Sequence, residues 1–228
     1  MLEANQLKCA REAAGLTQQR VAARLGVSQA YLSLIEHGRR AAGRRLWGRL
    51  CGLYRLPVTA LPLTEDSPAR RGRADSFAGD LASFGYPGFA YLRAKTRKNP
   101  ASVLLSALSS DNLDIRILEA LPWLVTRYPD MDWDWLLARA KQREIQNRIG
   151  FILALGRQFA ADNPQSEGES ERLASIEARF NRARLAREDT LCQESMGAPE
   201  RRWLRNHRPS EARHWNLLTD LKLEDLPY

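Results

Sequence analysis

Asp130, Asp132 and Asp134 alternate in PDMDWDW, the spacing at which carboxylates begin a calcium-binding loop. Trp135 stands at the sixth position of such a loop, which needs Gly, and Lys141 at the twelfth, which needs Glu. The three acids are therefore expected to cap a helix that starts near Trp133. Ser195, followed by Met196 and with Lys222 as a base, would suit a self-cleaving serine peptidase. That chemistry needs a β-rich domain, and the surrounding pattern is helical. His207 and His214 lie seven apart among arginines, with no acid or cysteine at ligand spacing. Cys9, Cys51 and Cys192 are odd in number, widely separated and outside any CxxC pattern, which argues against disulfides and structural zinc. Cys9 and Cys51 have apolar neighbours and are expected as small core residues. Trp123, Trp133 and Trp135 could line a ligand pocket, but aromatics at helical spacing are expected in the core. No catalytic residue, cofactor site or metal site emerges, and the chain is expected not to be an enzyme.

The chemistry that does stand out is cationic. Of the net charge of +8, residues 1–62 carry +7, with ten Lys or Arg against three acids. Residues 63–75 hold three charges of each sign, and 76–228 are nearly neutral, at +1. A compact positive module beside an almost neutral one is the distribution of a phosphate-binding head joined to a separate domain. The sequence is 44 % hydrophobic and 27 % charged, and no apolar run approaches the 18 or so residues that a membrane span needs. The opening residues MLEANQLKCAREAAG alternate charged and apolar positions and do not resemble a secretory signal, so a cytoplasmic location is expected.

The elements that must position these cations follow from caps and periodicity. Leu7, Ala10, Ala13 and Ala14 give a first helix over 5–14, stopped by Gly15. In LTQQRVAARLGVSQAYLSLIEHG, Thr17 caps a helix over 18–25, Gly26 breaks it, and Ser28 caps another over 29–36. Val21, Ala22, Leu25, Val27, Leu32 and Ile35 then share one small core. A fourth helix runs from Arg44 to Tyr54 with Leu46, Leu50 and Leu53 inward, and a short fifth follows Pro57 before Pro62.

Gln18, Ala22, Gly26, Val27, Leu32, Ile35 and Glu36 stand at the spacings of the lambda-repressor and Cro (XRE-type) regulators, and the first quarter of the chain resembles that family. The resemblance implies a five-helix DNA-binding domain whose second motif helix lies in the major groove of double-stranded DNA. It places Ser28, Gln29, Ala30, Ser33 and Leu34 on base edges, with Gln29 able to donate to and accept from one adenine. It implies phosphate contacts for Gln18, which also braces the recognition helix. Tyr31 and the arginines Arg39, Arg40, Arg44 and Arg45 of HGRRAAGRR are further phosphate candidates. It also implies an internal ion pair between Arg11 and Glu36.

The stretch LTEDSPARRGRADS reads as a linker, so the expected organisation is a DNA-binding domain over 1–62, a linker over 63–75 and a helical second domain over 76–228. The whole fold is expected to be all-α. Pro100 begins a helix with Leu104, Leu105 and Leu108, Ser110 or Asp111 caps the next, and Pro122 should kink it. Ile117, Leu118, Leu121, Leu124, Val125 and Tyr128 mark one helical face, and Ile145, Ile149, Ile152, Leu153 and Gly156 another. Residues 162–170 read as a loop and 171–188 as a charged helix with Leu173, Ile176, Phe180 and Leu185 on a thin apolar stripe. The tail carries Trp203, Trp215, Leu217, Leu218, Leu221 and Leu223, which should dock on its own domain or on a second subunit. The expected function is a dimeric repressor on an inverted-repeat operator, with residues 76–228 supplying the dimer contact. Two variants are an antitoxin that binds its toxin through 76–228 and a small-molecule-sensing regulator.

Overall fold

A computed structural model describes residues 4–64, 74–92, 98–162 and 168–227. The described part of the chain is mostly helical and divides into two units. One comprises residues 4–64 with Lys98 and Asn99, and the other 74–92, 100–162 and 168–227. Residues 65–73, which hold most of the expected linker, lie outside the described residues.

In the first unit α1 (Ala4–Ala13), α2 (Gln18–Leu25), α3 (Gln29–Glu36) and α4 (Arg44–Tyr54) begin and end where the local signals place them. Thr17 Oγ1 accepts from Arg20 N, and Ser28 Oγ from Tyr31 N, so both motif helices are capped by a side chain. Gly26 takes φ +67° between them, a left-handed turn that favours glycine. The expected fifth helix is a single 3-10 turn, Val58–Ala60. Leu7, Val21, Ala22, Leu25, Leu32, Ile35, Leu50 and Tyr54 form the core, with Val27, Leu46 and Leu53 packed half-buried against it. Two expectations for α1 are corrected. Ala13 and Ala14 are exposed, and Cys9 is exposed rather than in the core, while Cys51 is buried. The inward face of α1 is instead completed by Arg11, whose charge is met inside the unit.

The second unit is built around α9 (Gln146–Asp162), most of whose residues from Gln146 to Gly156 are buried. From Ile149 to Gly156 the helix is apolar on all sides, which puts that stretch in the centre. Around it pack α7 (Ile115–Arg127), α8 (Trp133–Arg143), α10 (Glu169–Asn181) and α12 (Ser210–His214). The unit also holds α5 (Ala74–Phe84), α6 (Pro100–Leu108) and α11 (Ala198–His207). The cap of α7 is Asp114, whose carboxylate accepts from Arg116 N, and not Ser110 or Asp111. Pro122 lies inside α7, and Thr126 Oγ1 donates to its carbonyl at 2.8 Å. The charged helix α10 ends at Asn181 rather than running to 188, and Leu185 beyond it is half-buried. Asp162 closes α9 and Glu169 opens α10, while 163–167 of the expected loop lie outside the described residues.

The tail docks on its own unit. Trp215, Leu217, Leu218 and Leu221 are buried, Leu223 is half-buried, and only Trp203 is exposed. Trp215 packs against α9 at Gly150, where a Cβ would come within 2.2 Å of its ring. Two short strands, β1 (Asp189–Thr190) and β2 (Leu217–Leu218), pair in parallel with Asp189 opposite Leu217. The segment before the tail is held by three successive residues at the start of α9. Gln146 donates to Ala183 O, and the Asn147 amide both donates to Leu185 O and accepts from Leu185 N. Arg148 donates to Asp189 through Nε (2.8 Å) and Nη2 (3.0 Å) and to Glu194 through Nη2 (2.8 Å). Burial opposes its charge, yet the hydrogen bond to Asp189 and the nearby carboxylates leave its pKa above the ordinary value. Cys192, beside it, has its thiol pushed up to about 11 by burial.

Among the described residues no helix is long and apolar enough to cross a membrane. The three aspartates behave as caps and surface charges. Asp132 Oδ1 accepts from Trp135 N, Asp134 pairs with Arg179, and Asp130 is exposed. Ser195 Oγ donates to Asn112 Oδ1, and Lys222 Nζ faces Glu224. Trp133 is buried, and Trp123 and Trp135 are half-buried.

Candidate nucleic-acid interface

The recognition-helix candidate α3 presents Ser28, Gln29 and Ala30 to solvent at its start, and Leu34, 37 % exposed, one turn later. Its opposite side carries Leu32, Ile35 and Glu36 into the unit. A period of 3.6 residues separates the two faces, so one helix both closes the core and offers an edge to a groove. Ser33 is half-buried, with Oγ 3.4 Å from His37 Nδ1, while His37 Nδ1 donates to Ser33 O at 2.7 Å.

A polar chain fixes the angle at which α3 stands. Glu36, with no exposed surface, accepts from Arg11 Nε (2.8 Å), Arg11 Nη2 (3.2 Å) and Gln18 Nε2 (2.8 Å). Arg11 also donates through Nη1 to Leu16 O at 2.8 Å, so the guanidinium joins α1 to α3 and to the turn that precedes α2. The Glu36 hydrogen bond raises the pKa of Arg11. Gln18 Oε1 in turn accepts from Gln29 Nε2 at 3.4 Å. An amide nitrogen carries two hydrogens, so Gln29 keeps a second N–H and its Oε1 for an adenine edge. The expected ion pair between Arg11 and Glu36 is therefore present, and Gln18 braces α3 as expected.

Two of the phosphate candidates meet. Arg40 stacks over the Tyr31 ring, 5.4 Å from its centroid, an arrangement that orders the guanidinium without neutralising it. Arg39, Arg40 and Arg45 are exposed, as a backbone contact requires. Arg44 opens α4, and its side chain lies outside the described residues.

Three contributors were not anticipated from the sequence. Arg49 donates from α4 to the carbonyls of Leu25 (2.8 Å) and Arg24 (2.9 Å), closing the C-terminal end of α2 with a positive charge where the helix dipole favours one. Asn99 donates to Thr59 O and Leu61 O, at 2.8 and 2.7 Å. The Tyr54 hydroxyl is buried without a hydrogen-bond partner, and burial, helped by the Glu36 charge, pushes its pKa up to about 12. Each depends on a residue at least 18 positions away or on burial, and neither leaves a local spacing signal.

Neither a curated protein nor a solved structure matches the chain. The family model of the helix-turn-helix domain matches residues 4–63. With α2 and α3 joined by the Gly26 turn and α3 offering an exposed polar edge, the first unit is a helix-turn-helix domain, the module of a DNA-binding regulator.

Proposed function

We propose that the chain is a sequence-specific transcriptional regulator of the lambda-repressor and Cro (XRE) type. In this reading it is a cytoplasmic repressor that binds an inverted-repeat operator in double-stranded DNA as a homodimer. The observation that carries the reading is the chain from Arg11 through Glu36 and Gln18 to Gln29, which braces the exposed start of α3 from behind. A groove-reading helix needs that preorganisation, because base edges are discriminated by hydrogen-bond geometry. Ala30 and Leu34 add apolar contact, suited to a thymine methyl, and Tyr31, Arg39, Arg40 and Arg45 hold the sugar-phosphate backbone. The reading assigns the chain no reaction and no cofactor.

The test is a mobility-shift titration on an operator obtained by selection from random duplexes. Gln29→Ala should weaken operator binding by about 1–3 kcal/mol and change binding to random DNA little. Equal losses on both DNAs would remove Gln29 from base reading, and failure to select any preferred sequence would overturn the regulator assignment.

A second reading, regulation by a small molecule, has one observation in its favour. A cavity of about 230 Å³ in the second unit is lined by Tyr86, Phe89, Tyr91, Arg116 and Glu119 among others. Saturable binding of an effector there, lost in Tyr91→Ala and coupled to operator affinity, would establish it.

A further inference from the structure

Of the six tryptophans only Trp203 is exposed, at 52 %, and it sits on a helix whose two faces do different work. The inner face of α11 is fastened. Leu204 is buried, Arg201 donates to Met196 O and Glu194 O, and Arg205 donates to Glu188 at 2.7 Å. Arg208, just past the helix, shares that same carboxylate at 3.3 Å. The outer face carries Arg202, Trp203, Asn206 and His207, all exposed.

The indole on that face is held rigid. His207 lies stacked on Trp203 with ring centroids 4.5 Å apart and planes at 9°. Its Nδ1 donates to the Trp203 carbonyl at 2.8 Å, one helical turn back, which locks the imidazole under the indole. One face of Trp203 is thus occupied from within the chain, while half of the residue stays in water. Ordering an aromatic side chain costs conformational entropy, and here that cost is met before any partner arrives.

The helix is net positive. The helix holds three arginines against Glu200, which sits in its first turn. The two backbone-bound hydrogen bonds of Arg201 leave its charge unneutralised, and two guanidiniums share the one Glu188 carboxylate. A fixed, exposed aromatic ring on a helix that carries three arginines is complementary to an unpaired nucleobase and its phosphate. An acidic peptide would satisfy the charge but would leave the plane without a flat partner. We propose that Trp203, backed by His207 and flanked by Arg202, is a stacking site for single-stranded nucleic acid on the second unit, separate from the helix-turn-helix face.

The experiment titrates the full chain at low salt against a short end-labelled oligothymidylate, with affinity read from the anisotropy of the label and the quench from tryptophan emission. Binding should quench tryptophan emission in the wild type and equally in Gln29→Ala, which alters only the duplex-reading face. Trp203→Ala should bind on the order of tenfold more weakly. Trp203→Phe, which keeps a ring, should retain most of the affinity while losing the quench. Arg202→Ala should lower the slope of log affinity against log salt by about 0.7, the loss of one phosphate contact to a single strand. Unchanged circular dichroism in these variants shows that the fold is retained. Affinity and slope unchanged in both Trp203→Ala and Arg202→Ala would overturn the proposal, as would a Trp203-dependent quench produced by polyglutamate and not by the oligonucleotide.

Discussion

Glu36 has no exposed surface, and three donors from two side chains converge on it. Removing Arg11 would leave that carboxylate inside the unit with Gln18 as its one remaining donor among these. Breaking one partner of a buried pair costs about 3–5 kcal/mol, much more than losing a surface pair. Arg11→Ala should therefore speed amide hydrogen exchange throughout α1, α2 and α3, and leave α7 and α9 protected as before. Unchanged exchange in the first unit would show that the pair is not structural, and weakened DNA binding alone would make Arg11 a phosphate contact. Two phenols offer a second readout at this scale. Tyr54 and Tyr86 are each pushed up to about 12, chiefly by burial, with Glu36 and Glu119 respectively adding to the effect. An unfolded tyrosine ionises near pH 10. The neutral phenols thus contribute stability that is intact below about pH 10 and lost as pH rises from there towards 12. In an ultraviolet titration, Tyr54 and Tyr86 should ionise above pH 10, with stability falling over the same interval. An absorbance change above pH 10 that is the same in Tyr54→Phe and Tyr86→Phe as in the wild type would contradict the burial of Tyr54 and Tyr86.

Helix boundaries were legible where their causes are local. Thr17, Gly26, Ser28 and Pro100 act within a turn or two of the helix they start or stop, so sequence spacing and structure agree there. The Arg11–Glu36 pair spans 25 positions and was legible through family resemblance, because nothing in the spacing alone joins the two. Legibility failed where a distant segment decides. Asp114 outcompetes Ser110, whose hydroxyl turns back to Ser106 O, and α10 stops at Asn181 before a segment that Gln146 and Asn147 tie to α9. Arg148 was invisible as a hub, since its partners Asp189 and Glu194 lie more than 40 positions away. The same holds for the tail, whose apolar residues suggest an uncovered surface until Trp215 is seen against Gly150. That contact is open to test. The Trp215 ring has no exposed surface and no room to retreat, so Gly150→Ala should cost about 1–3 kcal/mol through overpacking. The urea midpoint should fall with an unchanged slope. Combining Gly150→Ala with Trp215→Leu should cost less than the sum of the two single changes, since both act on one contact. Additive losses would mean that the ring and the glycine do not meet.

At the scale of the whole molecule, the charge division bears on how two copies associate. A single module of about 60 residues buries only about 600–1,000 Å² on DNA, and regulation requires more affinity than one such head supplies. On the proposed reading a second head is required, but residues 1–62 carry +7, so two heads repel when they come within a Debye length of roughly 8–10 Å. Among the described residues of the first unit, the large apolar side chain left exposed is Leu34, which the proposed reading commits to the groove. We therefore predict that the contact belongs to residues 76–228, which are nearly neutral and keep Tyr91 (72 %) and Ile115 (48 %) exposed after the tail has been covered. A two-fold axis through that region would set the recognition helices ~34 Å apart, one turn of duplex or a multiple of it, and the operator would be an inverted repeat. Sedimentation should find the full chain dimeric at micromolar concentration and a 1–64 fragment monomeric, and the fragment should bind one half-site without cooperativity. A dimeric fragment, or a full chain that stays monomeric while binding the selected operator tightly, would put the second head elsewhere.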